Sequence, residues 1–305
     1  MNLIDEIKLS LRQGNILTRL IFINVAIFVL LGLMFVILRL FTPGVTLGAL
    51  QVQFNDNVMK YLMVPSVPGE LLKRPWTVIT YMFTHFNFLH ILFNMLVLFW
   101  FGRIFLQYLT ARQMVSTYIL GGIAGALLYI LFINGFPGLR EHLGSSMLGA
   151  SASIMAIVIA ISFYVPDYTL YMLFIGPVRL KYIALAFIIM DVLMMASYNA
   201  GGHIAHLGGA IYGYTFITMF RKGRDIGDWL NNLLDKAVTL FKPRPRLNVT
   251  YRKAARRVSD EEYNRSKVEQ QKEIDRILDK IAQGGYESLT KKEKETLFKM
   301  SNNKK

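Results

Sequence analysis

Four of the chain's five histidines, His85, His90, His203 and His206, stand near the starts of long apolar segments, and another such segment opens with Gly149-Ala150-Ser151-Ala152. Asn94 follows His90 by four residues. Polar and ionisable groups are costly in a hydrocarbon-embedded helix, so their presence there reads as functional. A serine hydroxyl is too weak an acid to attack an amide unaided. A histidine within hydrogen-bond reach can take its proton and later return it to the leaving amine. The tetrahedral oxyanion needs donors fixed in advance, and the Ser151 backbone N–H, the Asn94 amide and the His90 ring are groups of the right type. The chemistry suggested is acyl transfer by a serine and a histidine inside a membrane. A different class stays open on the same residues: four histidines near one layer could bind a divalent metal, with His203 and His206 three apart on one helix face, as in a zinc protease or a metal transporter. No carboxylate stands beside them in sequence to act as the base, and that reading leaves Ser151 and Asn94 unexplained.

The elements that must position these groups are helices in a membrane. Hydrophobic residues make up 53% of the 305, mean hydropathy is +0.38, and six apolar stretches run over 17–40, 86–107, 114–133, 147–165, 180–196 and 204–220. Crossing roughly 30 Å of hydrocarbon takes about 20 helical residues, with about 17 a practical minimum. Six such stretches leave too little polar surface for a water-soluble fold, and an all-α six-span bundle is expected. With the amino terminus inside, Lys8, Arg12, Arg19, Arg103, Arg112, Arg179, Lys181, Arg221, Lys222 and Arg224 collect on the inner face. The outer face keeps Arg39, Lys60, Lys73, Arg74 and Arg140, which favours a multi-pass cell-membrane protein with both termini cytoplasmic. In that orientation Ser151 lies about five residues into the fourth helix, His206 about four into the sixth, and His90 and Asn94 about four and eight past Phe86. At about 1.5 Å per residue all four fall in one layer beneath the outer boundary. No cleavable signal is expected, because the first apolar stretch is too long for one.

Cysteine is absent, which removes disulfides, thiol nucleophiles and cysteine-ligated zinc. The segment 41–85 is too long for a simple connection and is expected to be partly structured. After 220 the composition changes. A basic run of Lys242, Arg244, Arg246, Arg252, Lys253, Arg256 and Arg257 lies in a linker over 221–271, with Pro243 and Pro245 keeping it extended. It would attract an anionic lipid leaflet. The net charge of +14 comes without aromatic interleaving, so nucleic acid is not an expected partner. Ile274, Ile277, Leu278 and Ile281 repeat at helical spacing, Gly284-Gly285 stops them, and Ser288 begins a second helix, giving a small hairpin over 272–305.

His85-x4-His90-x3-Asn94, Gly149-Ala150-Ser151 and Ala205-His206-Leu207-Gly208-Gly209-x3-Gly213 occur in the order of three motifs of the rhomboid family of intramembrane serine proteases, which the chain resembles over 17–220. Trp76 sits where that family's outer-loop Trp-Arg pair is expected. The resemblance implies a six-helix rhomboid-like core after a short segment 1–16, with no cofactor and no metal. Its substrates would be transmembrane proteins. By this likeness Ser151 is the nucleophile, His206 the base, and His90 with Asn94 the oxyanion stabilisers, supported by His85, Gly149 and Gly209. A catalytically silent binder of transmembrane helices is the alternative. The chain departs from the pattern in several places. Ala152 stands where glycine is usual and is expected to crowd the fourth and sixth helices. Thr77 replaces the arginine of the pair, Gln107 and Thr110 stand where Glu and Gly are common, and Met155 takes an often aromatic position. Within the sixth segment His203 could compete with His206 as base, and the motif favours His206. Asp191, the one carboxylate in an apolar stretch, could complete a triad, but the resemblance implies a two-residue dyad and a helix-packing hydrogen bond is expected.

Overall fold

The computed structural model describes residues 15–172, 176–197, 199–241 and 260–302, in two compact units, Met1–Lys242 and Pro243–Lys305. The chain is mostly helical. In the first unit α1 (Ile16–Phe41), α2 (Leu47–Asn57), α3 (Pro68–Lys73), α4 (Thr77–Thr80), α5 (Phe88–Tyr108), α6 (Ala111–Gly135), α7 (Ser151–Tyr164), α8 (Leu180–Met194), α9 (Ala200–Arg221) and α10 (Asp228–Phe241) follow in order. Two short antiparallel ladders interrupt them, β1 (Val64–Pro65) with β2 (Ser146–Met147) and β3 (Thr169–Met172) with β4 (Gly176–Arg179).

By length and composition α1, α5 and α6 can cross a membrane. Their starts are written in side chains: Asn15 caps α1 by accepting from the Thr18 N–H, and Thr110 and Gln113 form a reciprocal capping box on α6. Leu30, Leu33, Ile37 and Leu40 of α1 are each more than half exposed. Such a surface would be a liability in water, whereas lipid tails are as apolar as the side chains themselves.

The core is built around α7, whose residues from Ala152 to Ser162 are all buried, and α9 packs against both α7 and α6. Small residues make the approach possible. A Cβ on Gly209 would lie 2.0 Å from the Ala152 carbonyl oxygen, and one on Gly213 would lie 2.3 Å from that of Ala156. Backbone meets backbone there, the close contact that small residues permit between membrane helices. Gly209→Ala is therefore expected to push α9 off α7 at a cost of about 1–3 kcal/mol, the range for overpacking a tight core. A lower midpoint of thermal aggregation in detergent would register it. An unchanged midpoint would mean that the two helices separate freely.

Ala152 does not crowd the α7–α9 contact as the sequence suggests. Its methyl group points at α6, where Gly125 makes room: a Cβ on Gly125 would come within 2.6 Å of the Ala152 Cβ. A glycine on the neighbouring helix thus takes up the methyl group.

The segment between α1 and α5 is ordered around its own small core, in which Leu31, Phe54 and Met59 are buried with Phe35 and Phe86 packed against them. The Phe35 and Phe54 rings meet edge to face at 5.3 Å. Trp76 is half exposed and donates its indole N–H to the Tyr61 carbonyl at 2.9 Å, while the buried Thr77 hydroxyl donates to the Arg74 carbonyl. The Arg74 side chain reaches the Lys60 carbonyl and the Glu70 carboxylate. The basic side chain near Trp76 is thus spent on fastening the loop.

Several boundaries differ from the sequence reading. The fourth helix starts at Ser151 rather than near 147, because Gly149, at φ +117, takes a conformation that no helix contains. The sixth starts at Ala200, ahead of the apolar run, since small residues carry it. The segment 221–271 is not one extended linker. It contains α10, whose buried Leu230 and Asn231 and whose Arg112–Asp235 ion pair tie it to the first unit, and it contains the start of α11 (Asp260–Gly284). The basic run over 242–257 and the segment 1–14 lie outside the described residues.

The second unit consists of α11 and α12 (Lys291–Asn302) joined by a single 3-10 turn, with Gly285 at φ +72 ending the first helix. The second helix begins at Lys291 instead of Ser288, because Thr290 is its capping residue. The Glu293 carboxylate accepts from the Thr290 N–H at 2.7 Å and from its hydroxyl at 2.8 Å, and Lys280 of α11 bridges to it at 3.0 Å. Those hydrogen bonds and the lysine charge hold the Glu293 carboxyl down to about 2.

Candidate active site

Ser151 is the first residue of α7, so its amide is one of the first-turn donors that an α-helix leaves without an internal partner. Two devices hold it there. The entering chain is extended through the β1–β2 ladder, and the Gly149 N–H donates to the Tyr81 carbonyl at 2.9 Å. A Cβ on Gly149 would strike the His90 ring at 2.7 Å, so glycine is required both for its φ and for that contact. A 14-residue α7 is about 21 Å long, shorter than a bilayer's hydrocarbon core. Ser151 thus opens a short helix behind an extended lead-in, and does not have the five helical residues before it that the sequence suggests.

His90 lies in the first turn of α5, whose cap is Asn87, and Asn94 lies one turn further on. The Asn94 side-chain amide is 3.0 Å from Nε2 of His85, and the Ala150 N–H donates to that same nitrogen at 3.3 Å. With Nε2 accepting, His85 carries its proton on Nδ1. His85 is fully buried, and it ties α5 to the peptide that leads into Ser151. The His85 and His90 rings pack edge to face at 5.2 Å.

On α9, one turn apart, His203 and His206 both direct Nδ1 at a single oxygen of Asp191, each at 2.8 Å. Asp191 comes from α8 and is only 5% exposed, so its charge is almost out of solvent. With the carboxylate accepting from both rings, each would carry its proton on Nδ1 and keep Nε2 as the basic nitrogen. Asp191 makes the hydrogen bond between helices expected from the sequence, and its partners are the two histidines. Its carboxylate fixes the tautomer and orientation of the ring expected to be the base. The sequence did carry a signal, a lone acid in an apolar stretch, but its partners sit on the next helix, and residue spacing does not reveal a contact between helices.

Ser151, His206, His90, Asn94 and Gly149 line one cavity of about 610 Å³. A second, more apolar cavity of about 270 Å³ reaches Ser151, His206 and Asn94 from the side of Met155, Asp191 and His203. Met155 and His206 both line this second cavity. Gly209 does not line either cavity and acts at the α7–α9 contact. Among the described residues, the group Asp191, His203 and His206 offers three ligand atoms close enough together for one metal ion.

Residues 72–223 match the model of the Rhomboid domain, and residues 259–303 match a family of unknown function, DUF6576. RHOMBOID-like protein 12, mitochondrial, of Arabidopsis thaliana is 28% identical over 181 residues, 56% of this chain and 54% of that protein. Presenilin-associated rhomboid-like protein A, mitochondrial, of Danio rerio is 29% identical over 143 residues, 44% of this chain and 35% of that one. The Rattus norvegicus presenilin-associated rhomboid-like protein, mitochondrial, is 32% identical over 144 residues, 45% and 36%. The chain spans about half or less of the length of these relatives. Their mitochondrial names overturn the cell-membrane location, with cytoplasmic termini, expected from the charge bias. The physical reason is that basic residues report sidedness relative to a membrane and carry no information on which membrane it is. The match over 72–223 covers all three motifs, and the chain belongs to the rhomboid family.

Proposed function

We propose that the protein is an intramembrane serine endopeptidase that cuts peptide bonds in or near transmembrane segments of other membrane proteins. The observation that carries this reading is the convergence of Ser151, His206, His90 and Asn94 on one cavity, with Nδ1 of His206 held by a buried carboxylate. Helices α1, α5, α6, α7, α8 and α9 are read as the six crossings. Ser151 Oγ attacks the scissile carbonyl while Nε2 of His206 takes its proton, and the same proton then passes to the leaving amine. Asp191 stabilises the imidazolium formed between these steps without itself taking the proton. The Ser151 amide, the second N–H of the Asn94 amide and the His90 ring face the developing oxyanion. A stable substrate helix hides its amides, so the bond cut would lie where the helix unwinds.

The test is to reconstitute the purified full chain with a single-span membrane substrate. Cleavage, with covalent labelling of Ser151 by a small fluorophosphonate, supports the reading, whereas stable binding without cleavage would make the protein a silent binder. Removing one preorganised oxyanion donor typically costs about 100- to 1000-fold in kcat. Asn94→Ala is expected to lose that much while remaining open to fluorophosphonate. A loss under about threefold would reassign Asn94 to bracing His85 alone.

A further inference from the structure

We propose that Asp191, His203 and His206 bind a divalent transition-metal ion of the zinc class, and that occupation of this site switches the serine–histidine pair off. The switch rests on the reading of Ser151 and His206 above, but the binding site does not. One ring nitrogen of each histidine and the Asp191 carboxylate lie within 4.8 Å of one another, and the nitrogen facing the carboxylate at 2.8 Å is Nδ1 in both rings. They come from two helices that are packed together, α8 and α9. Two imidazoles and one carboxylate are a donor set that zinc favours, leaving a fourth position for water. Both rings are about one-fifth exposed, and His206 opens on both cavities, so an ion has a route in. The carboxylate is buried and supplies the negative charge that a dication needs in such a place.

Inhibition follows from where the ring keeps its single proton. In the metal-free site that proton is on Nδ1 of His206, shared with Asp191, and Nε2 has the lone pair that accepts the Ser151 proton. A metal ion takes the Nδ1 lone pair, so in the neutral ring the proton moves to Nε2, and no proton is gained or lost. A ring protonated on Nε2 cannot act as the base. The metal would therefore oppose the reaction and perform no hydrolysis, unlike the zinc-protease alternative.

The experiment strips the full chain in detergent with a chelator and titrates it with zinc, measuring bound metal and fluorophosphonate labelling of Ser151 in parallel. Wild type is expected to bind one ion per chain and to lose labelling as it does so, and chelator should restore it. Ser151→Ala should bind zinc as tightly as wild type. His203→Gln, whose amide still donates to Asp191, should keep measurable labelling without metal, set as its own reference, yet bind at least about tenfold more weakly and resist inhibition. Asp191→Asn, of nearly unchanged shape, should weaken binding as well. Zinc binding equally tight in wild type, His203→Gln and Asp191→Asn would overturn the site, as would binding too weak to saturate wild type. Tight binding lost in both variants, in a wild-type chain that never labels, would uphold the site and defeat the protease reading instead. Chelator-stripped protein that regains cleavage only with zinc would overturn the inhibitory role.

Discussion

Ser151→Ala and His206→Ala each abolish cleavage of a reconstituted transmembrane substrate, with kcat falling by at least about 10⁴-fold, and the double variant is scarcely worse than either alone. Non-additivity is the informative part. Nucleophile and base act in one proton transfer, so once either is gone nothing remains for the other to assist. Both side chains line the cavity and neither is part of the glycine-mediated packing between α7 and α9. Both variants should therefore insert and elute as wild type does. Turnover within a few-fold of wild type in either single variant would remove that residue from the chemistry. Two independent losses that multiply would show that the pair does not function as a unit.

The second large effect belongs to Asp191. Asp191→Asn keeps the shape of the side chain but offers Nδ1 of His206 an amide that can donate as well as accept. The ring is then free to adopt the tautomer with its proton on Nε2, the one that cannot serve as base. In a serine protease with a carboxylate in this place, the same change costs about 10⁴-fold in kcat with the geometry intact. Here His203 also bonds the carboxylate and helps to hold it in position, so a loss of about 10²- to 10⁴-fold is expected. The loss should fall on kcat, with KM little altered, because Asp191 is directed at the ring and not at the main cavity. A KM effect alone, or no effect, would return Asp191 to a packing role. Restoration of the rate by Asp191→Glu would strengthen the case, since the test is of a carboxylate and not of a shape.

The candidate groups were legible because they are spaced along single helices. His85, His90 and Asn94 fall on successive turns of one segment and its lead-in, His203 and His206 on another, and Gly149 announces the break before Ser151. Contacts between helices were not legible. Asp191 meets its histidines only because α8 packs on α9, and Gly125 receives the Ala152 methyl only because α6 packs on α7. The start of the fourth helix was misplaced because Met147 and Leu148 are as apolar as the helix they precede. Hydropathy does not distinguish an extended apolar lead-in from a helical turn. The helix over 260–271 was hidden for the opposite reason, since its mostly polar sequence resembles a solvated linker, whereas the one over 228–241 carries apolar residues at helical spacing that the linker reading passed over.

The Gly125–Ala152 contact also constrains how such a chain can change over time. One methyl group is shared between α6 and α7: α7 carries it at 152, and α6 leaves the gap for it at 125. Substituting either position alone leaves two methyl groups in a space for one, or a void in place of both. Exchanging them together preserves the total volume. The pair is thus one heritable unit, and a lineage can reach glycine after Ser151 without loosening its core by acquiring an alanine on the neighbouring helix. Gly121 and Ala156, one turn deeper on the same two helices, repeat the arrangement, with the Ala156 Cβ 2.2 Å from where a Gly121 side chain would start. The seam between these helices is thus written as matched presence and absence, and its sequence drift should be read two positions at a time.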